Sequence, residues 1–465
     1  MKNLKKEFKT LEERKNFISL KESGGSTAIE CGKESLAGAV SQRACVYCGA
    51  RVVLNPITDA YHLIHGPIGC SSYTWDIRGS LSSGAEVFRN SFSTDLSERD
   101  IIFGGEEKLS SAIKEIVERY QARVIFVYAT CVVGVIGDDI EAVCKKAEEK
   151  YNIRVIPVQA AGFAGNKMDG YKAAGRALME LMDIGFEDDL NNNPSGYRDK
   201  TISSEIKKHG INIMGDFNLA GEMWIIKNYL REIGINVNAG ITGDSTCEEI
   251  SKASRAGLNF VQCAGSMVYL AKKMQKKYGM PYQKISFVGI EDTVRSLFTI
   301  ASFVDDREVN IRLKNFVDRK RTELGEELQK YRKLLWGRKV AIYVGGGFKA
   351  ISLIKQFKSL GMIPVMVGTQ TGKAEEYEKI HQLVGEGTVV LDDANPTELE
   401  NFMTEKEVDL LAGGVKERPL AYKLKVAFCD HNHERKHPLI GFEGALNFAR
   451  ELHQTVNSPV WRYVK

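Results

Sequence analysis

The stretch ARVIFVYATCVVGVIGDDIEAVCKKAEEKYNIRVIPVQ (122–159) decides the fold. VIFVYA is an apolar run of strand length, and DDIEAVCKKAEEKY carries apolar residues at helical spacing behind two acids that suit a helix start. IRVIPVQ is a second apolar strand. A strand, an amphipathic helix and another strand in so short a span make a β-α-β unit. Its parallel strands are buried on both faces, so they read as continuous apolar runs. Cys131 stops the first strand. Cys144 falls on the apolar side of the helix, where a buried thiol needs no ligand role.

The same alternation recurs on either side. Upstream, SAIKEIVERY (111–120) is helical, and RVVLNPITDAYHLIHGPIGC (51–70) reads as a short strand, a helix and a Gly-Pro turn. Residues 1–20 read as a charged helix. Beyond the polar linker DLNNNPSGYRDK (189–200), the strands INIMGDF, INVNAGI and LNFVQC alternate with the helical AGEMWIIKNYLREIG and TCEEISKASRAG. A long charged helix from about 305 to 335 closes that round. A third round starts at KVAIYVGGG (339–347), passes through FKAISLIKQFKSLG, IPVMVGT, VDLLAGG and KVAFCD, and ends in GALNFARELHQTV. The expected architecture is α/β, with three doubly wound, Rossmann-like domains of mainly parallel sheets whose strand ends face a common cleft. The expected boundaries are an N-terminal helical extension (1–30) and α/β domains over 31–195, 196–336 and 337–465.

Composition narrows the function classes. At 465 residues, 43% hydrophobic and 27% charged, with a formal charge of +4, the chain has the profile of an ordinary globular protein. No basic block alternates with aromatics, so a nucleic-acid surface is not expected. MKNLKKEFKTLEERKNF has no apolar core segment, which predicts neither a signal peptide nor a membrane anchor and gives a cytoplasmic expectation. Nine scattered cysteines, an odd number, point to reduced thiols rather than a disulfide framework. IYVGGGFKA (342–350) lacks GxGxxG and GTQTGKAEE (368–376) lacks the spacing of a P-loop, so these glycines read as ordinary strand-end turns. No GxSxG elbow is present.

The cysteines carry the chemistry. Cys45, Cys70 and Cys131 each sit at a turn, where thiolates from several loops can converge. Structural zinc sites favour two close pairs, and this chain has one, Cys45 with Cys48 in CVYC. Iron and sulfur fit the wide spacing better, and three thiolates leave a cubane one ligand short of its usual four. The fourth must come from elsewhere in the chain or from a partner. Cys263 ends LNFVQC just ahead of a helix start, which favours a thiolate. CDHNHERKHPLIGFEG (429–444) gathers His431, His433 and His437 around Asn432 and Arg435, a composition suited to metal or anion handling.

With these segments laid out, the chain resembles the nitrogenase component 1 family over nearly its full length. The strings that carry the resemblance are AGAVSQRACVYCGARVVLNPITDAYHLIHGPIGC, YTWDIRGSLSSG, NSFSTDL, VIFVYATCVVGVIGDDIEAVC, NIMGDFNLAGEMW, GGVKERPLAYKL and DHNHERKHPLIGFEG. Within the family it looks most like the E-type, alpha-like chain of the iron-molybdenum cofactor assembly scaffold. The resemblance implies an alpha2beta2 heterotetramer with a beta-like, N-type subunit. Cys45, Cys70 and Cys131 would match cysteines of a [4Fe-4S] cluster at the subunit interface, with the partner completing the ligand set. Cys263 would match the cysteine that holds one end of the large iron-sulfur cofactor in catalytic alpha chains. The opposite end stays open between His431, Asn432 and His433.

The catalytic alpha chain carries a histidine beside the cofactor where GFAGNKMDGYKAAG (162–175) has none, which removes a candidate proton donor. The resemblance therefore favours assembly of the cofactor from an iron-sulfur precursor over substrate reduction. The alternative is the alpha subunit of a nitrogenase or nitrogenase-like reductase. Lys167 and Arg435, with Lys416, Arg418 and Lys436, would attract an anionic cluster, its molybdenum and homocitrate. Implied partners are an iron-protein reductase, a precursor-cluster donor and apo-nitrogenase component 1 as acceptor.

Overall fold

A computed structural model describes residues 12–22, 28–31, 44–74, 90–192, 201–431 and 437–464. In chain order the strands are β1 (Ile18–Leu20), β2 (Tyr61–His65), β3 (Ser91–Ser93), β4 (Val124–Ala129) and β5 (Arg154–Gln159). Next come β6 (Ile211–Met214), β7 (Val237–Ile241), β8 (Leu258–Val261) and β9 (Tyr282–Lys284). The last are β10 (Lys339–Val344), β11 (Ile363–Thr369), β12 (Val389–Asp392), β13 (Leu410–Gly413) and β14 (Ala427–Asp430). They form three sheets, ordered β3-β2-β4-β5, β7-β6-β8-β9 and β1-β12-β11-β10-β13-β14. Every pairing is parallel except β1 on β12. An α/β fold with parallel sheets is what the alternation predicts, because helical crossovers cover both faces. All six residues of β4 are buried accordingly.

The chain divides into two compact units. One comprises residues 44–285 and 297–313 and holds both four-stranded sheets. The other comprises 286–296, 314–465 and the described part of 1–43, and holds the six-stranded sheet. Inside the first unit a single core joins Val52 and Tyr128 to Ala174, Ile241 and Met267. The helix Lys167–Asn192 packs both against the helix Val46–Leu54 and against the helix Ala264–Tyr278.

Two local readings are corrected. In RVVLNPITDAYHLIHGPIGC the expected order is reversed, since RVVL belongs to the helix Val46–Leu54 and YHLIH is β2. All nine residues of that helix are buried, and burial outweighs the strand preference of Val52 and Val53. YHLIH is fixed by register, with His62 opposite Phe126 and Leu63 opposite Val127 of β4. Near the N-terminus the charged segment is not one helix. Glu12–Phe17 forms a 3-10 turn and Ile18–Leu20 pairs with Val389–Leu391 at the sheet edge. Arg14 anchors this segment, since its guanidinium bonds both carboxylate oxygens of Glu398 at 2.9 and 3.0 Å and the Asp392 carbonyl at 2.7 Å. The long helix is observed at Arg307–Leu335, as the sequence predicts.

Candidate metal-cluster site

β2, β4 and β5 are neighbours in one sheet, so the loops leaving their carboxyl ends lie side by side. Cys70 lies in the helix Ile68–Thr74 after β2, Cys131 opens the helix Cys131–Ile136 after β4, and Gly162 follows β5. Cys45 precedes the helix Val46–Leu54 and is drawn to the same edge by a β-bridge to Asn166. Gly162 is the meeting point. Its N–H donates to Cys131 Sγ at 3.1 Å. A Cβ on it would stand 2.9 Å from Cys131 Sγ and 3.2 Å from Cys45 Cβ, so only glycine leaves room there.

The thiols sense one another. Burial pushes the Cys70 thiol up, and the neighbouring Cys131 and Cys45 push it further, opposed by the nearby Thr130 hydroxyl. Burial likewise raises Cys45. The amides of Tyr47 and Cys48 oppose this, although neither reaches full hydrogen-bond geometry to its sulfur. Cys48 turns instead into the core, 3% exposed. Among the described residues no group of three or more His, Cys, Asp or Glu side chains could hold a single metal ion. In a four-iron cluster each thiolate takes a different iron, so its ligands stand wider apart than those of one ion. The donor set at this edge, three thiols with an N–H directed at one sulfur, fits a cluster of that kind.

Three features around the thiols escape the sequence reading. Asp138, paired with Asp139 as a helix cap in sequence terms, accepts from His65 Nε2 at 3.0 Å and from the Gly105 amide. Only Asp139 caps the helix Ile140–Tyr151, accepting from the Ala142 amide at 3.0 Å. The His65 carbonyl in turn accepts from the Thr130 hydroxyl at 2.9 Å, which ties this buried pair to the start of the Cys131 helix. Burial lowers the His65 pKa while Asp138 opposes. Arg51 is buried in the helix that Cys45 opens, bonded to Ser91 Oγ, with its guanidinium 5.7 Å from the Tyr128 ring centroid. Tyr47, pushed up to about 12 by burial, feels that cation.

Cys263 caps the helix Ala264–Tyr278 just beyond β8, half-buried, as its strand-end position predicts. Gly215, in the left-handed region at φ +85°, passes so close that a Cβ would lie 2.7 Å from Cys263 Cβ. Gln262 beside it donates to Asp216 at 2.9 Å. Lys167 adjoins the cysteine edge, because Asn166 before it is the bridge partner of Cys45. In the other unit His431 is fully buried, its ring edge-on to Phe448 at 5.6 Å and its amide bonded to the Gly413 carbonyl at 2.9 Å. Asn432, His433, Arg435 and Lys436 lie outside the described residues.

A family model described as nitrogenase component 1 type oxidoreductase matches residues 45–457. The chain belongs to the nitrogenase component 1 family. Within that family it is 61% identical, over 99% of its length and 98% of the relative's, to the nitrogenase iron-molybdenum cofactor biosynthesis protein NifE of Clostridium pasteurianum. The protein of the same name from Methanosarcina barkeri is 51% identical over 98% of this chain and 97% of its own. A solved structure described as nitrogenase Cp1 at pH 5 superposes with a TM-score of 0.85 at 30% identity, covering 98% of this chain and 96% of that one. The fold of this nitrogenase component 1 chain is thus that of a solved nitrogenase. Among the described residues no helix is long and apolar enough to cross a membrane.

Proposed function

We propose that the chain is the alpha-like subunit of a scaffold on which the iron-molybdenum cofactor is assembled from an iron-sulfur precursor. The observation that carries this is near-complete, 61% identity to a protein named for cofactor biosynthesis. In this reading Cys45, Cys70 and Cys131 hold a [4Fe-4S] cluster, and a beta-like, N-type partner in an alpha2beta2 heterotetramer supplies the remaining ligand. Bound there, the cluster would supply one-electron transfer. The chain's own part is to hold it. Gly162 donates to the Cys131 sulfur, Thr130 fixes the loop on the His65 carbonyl, and missing bulk at position 162 keeps the cluster's space open.

The precursor is cargo, and cargo must be released. A single soft thiolate, Cys263, with exchangeable contacts from His431, Asn432 or His433, meets that need better than a closed cage of strong ligands. Lys167 and Arg435 are assigned to draw in the anionic cluster, its molybdenum and homocitrate. The stretch 162–175 carries Lys167, Met168, Asp169 and Tyr171 and no histidine in the region where a catalytic alpha chain has one, which favours holding over protonating. An iron-protein reductase, a precursor donor and apo-nitrogenase component 1 complete the partner set, in the cytoplasm. Each of the three sheets is assigned to one doubly wound domain of the scaffold, over 31–195, 196–336 and 337–465.

The test is anaerobic co-purification with the beta-like partner, loading with precursor, and iron counting. Iron beyond one cubane per pair, and transfer that activates the apo-acceptor, are expected. Iron that stays at one cubane per pair after loading refutes the assignment. Substrate reduction without transfer would favour the alternative, the alpha subunit of a nitrogenase or nitrogenase-like reductase, which the superposition on a solved nitrogenase supports.

A further inference from the structure

A cavity of about 360 Å3 opens in the unit that carries the six-stranded sheet, and neither the cysteines nor His431 line it. One wall is a stripe of the helix Arg307–Leu335, with Arg321, Gly325, Leu328 and Arg332 at helical spacing. The helix Gly347–Ser359 contributes Gln356, which is 4% exposed. Among the described residues neither its carboxamide oxygen nor its nitrogen has a hydrogen-bond partner. Buried amides are nearly always paired, and leaving both ends bare is costly, so this side chain is set for a partner that enters the cavity.

Gly325 supports the same conclusion from the other wall. Glycine inside a helix is less stable than alanine. Yet a Cβ at 325 would meet no atom within 4 Å, so the gap is open space rather than a tight fit. The lining charges favour an anion, three cations to two carboxylates, Glu291 and Asp292. Lys355 is engaged with Asp292 at 2.9 Å, and Arg321 and Arg332, the latter 5.3 Å from the Trp336 ring centroid, are exposed cations at either end of the stripe, roughly 16 Å apart along the axis. Val288, Ile290, Leu328 and Leu360 supply apolar surface for a flat body. A small polycarboxylate has no such body. A purine does, and its edge offers the adjacent donor and acceptor that a glutamine carboxamide reads.

We propose that this cavity binds a purine nucleotide, its base edge on the Gln356 carboxamide and its phosphate on Arg321 or Arg332. The site is independent of the scaffold assignment and stands or falls without it. Equilibrium dialysis of the full-length chain against AMP, adenosine, inorganic phosphate and citrate tests it. AMP should bind saturably and at least tenfold more tightly than phosphate or citrate, and Arg321→Ala or Arg332→Ala should weaken AMP but not adenosine. Gln356→Leu, which keeps the volume and removes the amide, should weaken AMP at least tenfold. Gly325→Leu fills the gap with a better helix former, so it should abolish binding in a folded protein and decides the matter if the Gln356 variant fails to fold. AMP binding no tighter than phosphate or citrate, or wild-type AMP affinity in the folded variants, overturns the proposal.

Discussion

Glu417 offers the sharpest single test, because burial is the largest influence on its carboxyl. It is 3% exposed at the turn after β13, and it accepts the Gly414 amide at 2.8 Å. Burial pushes its carboxyl up from 4.5 to about 7, with Asp430 adding to the rise and Lys416 opposing it. The folded chain therefore binds the proton more tightly than the unfolded one. Stability from neutral Glu417 is full below about pH 4.5 and is lost as pH rises to about 7. The difference between the two limits is about 3 kcal/mol. Glu417→Gln keeps an acceptor for Gly414 and cannot ionise, so it should match the wild type near pH 4.5 and exceed it by up to about 3 kcal/mol at pH 8. The two units do not guarantee one unfolding transition, so the assay is hydrogen exchange at the amides of β13 and β14, which reads local stability. A gap between wild type and variant that stays constant from pH 4.5 to 8 refutes the reasoning.

Four further outcomes follow from the same geometry. Gly162→Ala should cost the anaerobically purified complex at least half of its cubane iron while the far-ultraviolet spectrum stays unchanged, and full iron content would remove Gly162 from the site. Gly215→Ala forces a left-handed Ala against Cys263 and should destabilise the first unit by about 2 kcal/mol or more in urea unfolding, with a shift under 0.5 kcal/mol as the contrary result. His62 is held neutral by burial and by Arg51, its pKa well below 6.5, so its contribution is full above about pH 6.5 and is lost as pH falls. His62→Phe should flatten that acid limb, and an unchanged slope between pH 6.5 and 4.5 would contradict it. Arg14→Met leaves the Glu398 carboxylate buried without its cation and should cost about 3–5 kcal/mol by denaturant midpoint, a loss below 1 kcal/mol counting against the anchor.

The α/β class, the parallel strands and the family are legible in the chain alone, because continuous apolar runs and dense motif strings are local properties. The sequence also placed Cys131 and Cys263 at element ends, since strand termination is visible from neighbouring residues, whereas Cys70, read at a turn, lies within the helix Ile68–Thr74. It missed β3 and β9, short edge strands of polar composition, and the buried four-residue strand β12, and it reversed helix and strand in 51–70, where burial of Val52 and Val53 overrode propensity. Which groups meet emerges only on folding. The contact of Gly162 with two cysteines, the pairing of Asp138 with His65, and the bare amide of Gln356 facing Gly325's helix join residues far apart in sequence. Such contacts depend on strand order and helix packing, which the residue pattern of a single segment does not encode.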